Sequence, residues 1–74
     1  MEWSTDDVSE VLGQLGFTLA RRESHDTYVK KGHDRTVSVP RNRSAITKGT
    51  LGSIWRQAGI TGPQARAIRE KKAQ

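Results

Sequence analysis

The sequence predicts a small α+β domain in the order α-β-β-β-α, with a three-stranded antiparallel sheet and two helices on one face. Two patterns carry this. Apolar residues recur at helical spacing near both ends, at Val8, Val11, Leu12 and Leu15 and again at Leu51, Ile54, Trp55 and Ala58. Between them, short segments alternate apolar with polar residues and are separated by turn formers. Length agrees: 74 residues, 32% of them hydrophobic, suit one domain. Such a core is expected to yield roughly 3–5 kcal/mol of net stability.

The first helix is predicted over residues 4–15. Ser4 or Thr5 can cap it, Asp6 and Asp7 favour the positive end of its dipole, and Gly16 can end it. Phe17-Thr-Leu-Ala-Arg-Arg22 then reads as a strand with Phe17 and Leu19 inward and Thr18 and Arg22 outward. Ser24 to Lys31 holds Thr27, Tyr28 and Val29, all strand formers, although the facing of this middle strand is open. Gly32 and Asp34 make 31–35 a turn. Residues 35–40 alternate again, with Val37 and Val39 inward, Thr36 and Ser38 outward, and Pro40 closing the strand. A polar loop leads to Thr47, which caps the second helix; Gly59 ends that helix and Ile60 packs back. Gly49 and Gly52 each weaken it by roughly 1 kcal/mol relative to Ala, which packing through Trp55 must offset. This assigns 1–60 to one domain and 61–74 to a basic tail or short frayed helix.

Charge is unevenly distributed. The first ten residues hold Glu2, Asp6, Asp7 and Glu10 and no basic residue. All 13 basic residues follow, against four acids, leaving the rest of the chain at +9. That imbalance points to a polyanionic partner, nucleic acid above all. No apolar run approaches the ~20 residues of a membrane span, and the acidic N-terminus is unlike a signal peptide. With no cysteine, the chain can form no disulfide and has no thiolate nucleophile. These features predict a soluble cytoplasmic protein.

Few residues can carry chemistry. There is no Cys/His metal cluster, and Lys48-Gly49-Thr50 lacks the upstream glycine of a nucleotide-binding loop. No serine has the spacing of a Ser/His/Asp arrangement, and no pair of carboxylates stands out. Catalysis, if present, rests on His25 or His33 with nearby cations. His33 falls in the predicted turn and reads as solvated. His25 opens a strand, and the residues alone leave it either a polar surface group or a catalytic imidazole. Arg41, Arg43 and Lys48 are candidates for backbone phosphate, Lys48 because a helix N-terminus already favours an anion. Tyr28 is either a core residue or a platform for an unpaired base. Trp55 belongs to the core, and Trp3 is at most an N-terminal packing residue.

Several elements together resemble the HicA, or YcfA-like, family of messenger-RNA-cleaving toxins. They are Gly16-Phe17, Arg21-Arg22, Ser24-His25 before an aromatic strand, Val37-Ser-Val-Pro40, Lys48-Gly-Thr-Leu-x-x-Ile54 and Gln57-Ala-Gly-Ile60. They span Gly16 to Ile60 in the family's order. The resemblance implies a fold like that of a double-stranded RNA-binding domain, which agrees with the pattern above. It also implies that His25 is the catalytic histidine, because the family's Gly-Ser-His motif falls on residues 23–25. Here Glu23 replaces the glycine. A carboxylate there would favour imidazolium, repel phosphate or simply point away.

The function implied is a type II toxin that cleaves mRNA without a metal or other cofactor. A neutral imidazole would take the ribose 2′-OH proton, and the 2′-oxygen would attack the adjacent phosphate. Arg22 or Lys30 would stabilise the charge that develops. A HicB-like antitoxin would hold the toxin inactive, and the free toxin is expected to be a monomer. Two rival readings stay open: a non-catalytic double-stranded RNA-binding module, which has no need of Ser24-His25, and a degenerate toxin that only binds its antitoxin.

Overall fold

The computed structural model describes residues 2–73. The elements run α1 (Thr5–Gln14), β1 (Thr18–Arg22), β2 (His25–Val29), β3 (Val37–Pro40), α2 (Lys48–Ala58) and α3 (Gly62–Ala73). The strands form one antiparallel sheet in the order β1-β2-β3, so β2 is central. The predicted α-β-β-β-α order is therefore present, with a third helix added. Among the described residues no helix is long and apolar enough to cross a membrane.

Local signals start and stop the first two helices. Ser4 and Asp7 form a reciprocal capping box at α1: the Ser4 hydroxyl accepts from the Asp7 N–H, and the Asp7 carboxylate accepts from the Ser4 N–H. Thr47 caps α2 by accepting from the Thr50 N–H. Gly59 ends α2 in the left-handed region, at φ 80°, and the Ile60 N–H returns to the Trp55 carbonyl at 2.9 Å. Val8, Val11 and Leu12 of α1 and Ile54, Trp55 and Ala58 of α2 are buried with Tyr28, Val37 and Val39. The two predicted stripes thus cover one face of the sheet.

Residues 61–74, expected as a basic tail or short frayed helix, hold the twelve-residue α3. It packs against α1 and α2. Ala65 is fully buried, and the Arg69 guanidinium lies 3.9 Å from the centre of the Trp3 ring. Arg69 also donates to the Glu2 carbonyl at 3.0 Å and approaches Asp7 at 3.8 Å. Trp3 in turn meets Trp55 edge-on, with ring centres 5.1 Å apart. Trp3 is therefore a core residue.

One expectation about β1 is corrected. The register pairs Leu19 with Tyr28, then skips to pair Arg21 with Thr27 and Arg22 with Asp26. Ala20 is the extra residue of a β-bulge, and the bulge reverses the alternation after it. Arg21 therefore shares the uncovered face with Thr27, whereas Arg22 shares the helix-covered face with Asp26. Leu19 does face the helix side, as read from the pattern, but it lies on an edge strand and is 42% exposed. Every residue of β1 is exposed.

Candidate active site

β1 and β2 are joined by Glu23 and Ser24 alone, so His25 stands at the tip of the hairpin. It is the first residue of β2 and pairs with Pro40. In β2, Asp26 and Tyr28 are buried against the helices while His25 is exposed. Alternation puts His25 and Thr27 on the opposite, uncovered face. Ser24 Oγ lies 3.4 Å from His25 Nδ1, a loose contact.

The tip is held from below. Arg41, just after β3, donates from Nη1 to the Glu23 carbonyl at 2.9 Å. Its Nε lies 3.6 Å from Asp26 Oδ1, and the same oxygen accepts from Arg22 Nε at 3.3 Å. The Asp26 side chain is only 6% exposed, against 38% for Arg41 and 57% for Arg22. A buried carboxylate thus gathers two guanidinium groups. The 40–43 segment is stitched to α1 as well: Thr5 Oγ1 donates to the Pro40 carbonyl at 2.8 Å and accepts from the Arg43 N–H at 2.9 Å. Asn42 takes the left-handed conformation at φ 55°, which Asn tolerates better than most residues. A polar cleft of about 240 Å³ opens here, with Arg22, Asp26, Arg41, Asn42 and Arg43 in its lining.

Glu23 is exposed and engages Arg41 through its backbone carbonyl. Asn42 is the one non-glycine described with positive φ, so position 23 does not need a glycine's freedom. Glu23 therefore places an exposed acidic side chain beside Ser24-His25 without a positive φ.

The remaining candidates lie apart. Lys30 follows the far end of β2, about 16 Å along the strand from His25. Its Nζ sits 5.7 Å from the centre of the Phe17 ring. Lys30, expected near the imidazole, is therefore not its neighbour. Tyr28 is 7% exposed, and its hydroxyl hydrogen-bonds Ser9 at 2.6 Å. The stacking role is corrected: a ring packed under α1 cannot receive a base. Lys48 opens α2 and lines a separate, mainly apolar cleft with Trp3, Leu51, Trp55 and Arg66. His33 is half-buried rather than solvated: its Nε2 lies 2.7 Å from the Gln57 carbonyl, and its ring meets Phe17 edge-on. It ties the β2–β3 turn to the end of α2. Among the described residues, no three of His, Cys, Asp and Glu gather where they could hold a metal ion.

Sequence reasoning missed Asp26, and it turned the wrong arginine of β1 outward. Asp26 reads as an ordinary polar residue near a strand start, and only the register shows it beneath two arginines. Arg21 was masked by the bulge.

The sequence pattern of one family, described as HicA toxin of bacterial toxin-antitoxin, matches residues 5–60. The chain belongs to the HicA toxin family. No curated protein matches it. Membership makes it a toxin of a toxin–antitoxin pair and implies an antitoxin partner. The HicA match includes the hairpin tip, the arginine-bearing loop and α2, and it stops before α3.

Proposed function

We propose that this HicA-family toxin is an endoribonuclease that cleaves mRNA with His25 as general base and needs no metal in the cleavage step. The observation that carries the reading is the setting of His25. It is an exposed imidazole on the helix-free face of the sheet, at a hairpin tip braced by Arg41. A flexible RNA strand can lie across such a face without displacing any helix.

The imidazole acts through Nε2. For that nitrogen to be the free base, Nδ1 must carry the proton and donate toward Ser24 Oγ. His25 takes the 2′-OH proton, the 2′-oxygen forms a bond to the adjacent phosphorus, and the P–O5′ bond breaks. The 5′-oxygen leaves as a hydroxyl with a proton from solvent, and the imidazolium later releases its own. The products are a 2′,3′-cyclic phosphate and a 5′-hydroxyl. Arg22, Arg43 and, in part, Arg41 line a polar cleft on the α1 side of the hairpin, beside Asp6 and Asp26, and meet backbone phosphates only where the strand passes around the sheet edge. Lys48 adds charge at the start of α2. We propose that a HicB-like antitoxin inhibits the toxin by covering the His25 face, with an acidic surface that meets the same arginines.

The test is cleavage by the purified toxin, free of partner, in excess EDTA. RNA should be cut, whereas DNA of the same sequence and RNA methylated at every 2′-oxygen should stay intact. A strict requirement for a divalent ion, or cleavage of the methylated strand, overturns the mechanism.

A further inference from the structure

We infer that Arg21 is the cation that stabilises the phosphate under attack at His25. This rests on the ribonuclease reading above and supplies the group that reading lacks. Three cations near the hairpin could serve, and the structure separates them. Arg22 and Arg41 both direct Nε to Asp26 Oδ1, on the helix-covered side, and Arg41 also spends Nη1 on the Glu23 carbonyl. Arg21 has neither commitment, and it is exposed.

Its facing follows from the bulge. Arg21 is paired with Thr27, and directly paired residues point to the same face. His25 is two residues before Thr27 on β2, so it also lies on that face. Arg21 and His25 are therefore diagonal neighbours on adjacent strands, about 7–8 Å apart at the backbone. A phosphate fits between an imidazole and a guanidinium at that spacing. Arginine's planar fork can donate two hydrogen bonds to the equatorial oxygens as their charge grows. Had β1 alternated without the bulge, Arg22 would have pointed outward instead. The extra residue at Ala20 selects which arginine meets the substrate face.

The experiment compares steady-state cleavage of one RNA oligonucleotide by Arg21→Gln, Arg21→Lys, Arg22→Gln and Arg35→Gln, each confirmed folded by circular dichroism. Arg35 lies in the β2–β3 turn and controls for loss of one positive charge. Arg21→Gln should lower kcat about 10²-fold, with KM changed far less, because the interaction grows toward the transition state. Arg21→Lys should restore part of the rate, since it keeps charge but loses the fork. Arg22→Gln should reduce kcat far less than Arg21→Gln, and Arg35→Gln should leave it at the wild-type value. Wild-type kcat in folded Arg21→Gln overturns the assignment, as does a loss confined to KM or a larger kcat loss in Arg22→Gln. Those outcomes leave the ribonuclease reading standing. A wild-type protein that cuts no RNA overturns both.

Discussion

His25→Ala is expected to lose RNA cleavage by about 10²–10⁴-fold, the usual cost of removing a general base. Its fold and RNA affinity should stay near wild type. The side chain is exposed, and its one hydrogen-bond contact is the loose approach to Ser24. Truncation therefore opens no cavity and strands no buried polar group. His33→Ala is the matched control. It removes the contact to the Gln57 carbonyl and the edge-on contact with Phe17, so it should melt at a lower temperature. Folded His33→Ala should still cut RNA, because that ring serves the fold at the far end of the hairpin. Glu23→Gly should cut faster if the carboxylate repels phosphate, and the Arg41 bond to the main chain can survive the change. The measurement is one cleavage assay on all three variants beside circular dichroism. Full activity in folded His25→Ala would end the catalytic claim.

Trp55→Ala carries the largest expected effect on stability. Trp55 is 5% exposed and joins α2 to Trp3, which in turn carries Arg69 and so anchors α3. Deleting a buried tryptophan costs about 3–5 kcal/mol. A domain of this size has a similar total, roughly 3–5 kcal/mol. The variant should therefore be largely unfolded at room temperature in the absence of partner. Urea unfolding followed by tryptophan fluorescence and circular dichroism checks this. A cooperative transition within about 1 kcal/mol of wild type would contradict the central place given to Trp55.

The parts legible in the sequence were those set by local chemistry. Ser4, Thr47 and Gly59 act at helix ends within four residues of their partners. The stripes in α1 and α2, and Val37 with Val39, follow from fixed periodicities. What was not legible depends on non-local contact. The bulge at Ala20 has no glycine to announce it, and two adjacent arginines after Leu-Ala leave which of them faces outward to be set by the opposing strand. That single residue exchanges the facing of Arg21 and Arg22. Asp26 meets Arg41 only because β2 and β3 are paired. α3 has a weak apolar stripe of its own; its anchor is Arg69 on Trp3, near the opposite end of the chain. At the site, the family motif singled out His25, and the fold adds its exposure and its bracing by Arg41.

In the proposed reaction the attacking group is the 2′-hydroxyl of the nucleotide at the cut. The most direct measurement first maps one cleavage site in a short RNA. It then repeats the reaction in EDTA on the same RNA carrying a single 2′-deoxy nucleotide immediately 5′ to that bond. This bond alone should become resistant while neighbouring cuts continue, and the unmodified RNA should yield a 2′,3′-cyclic phosphate and a 5′-hydroxyl. Cutting at the deoxy position, or products with a 5′-phosphate, would contradict it.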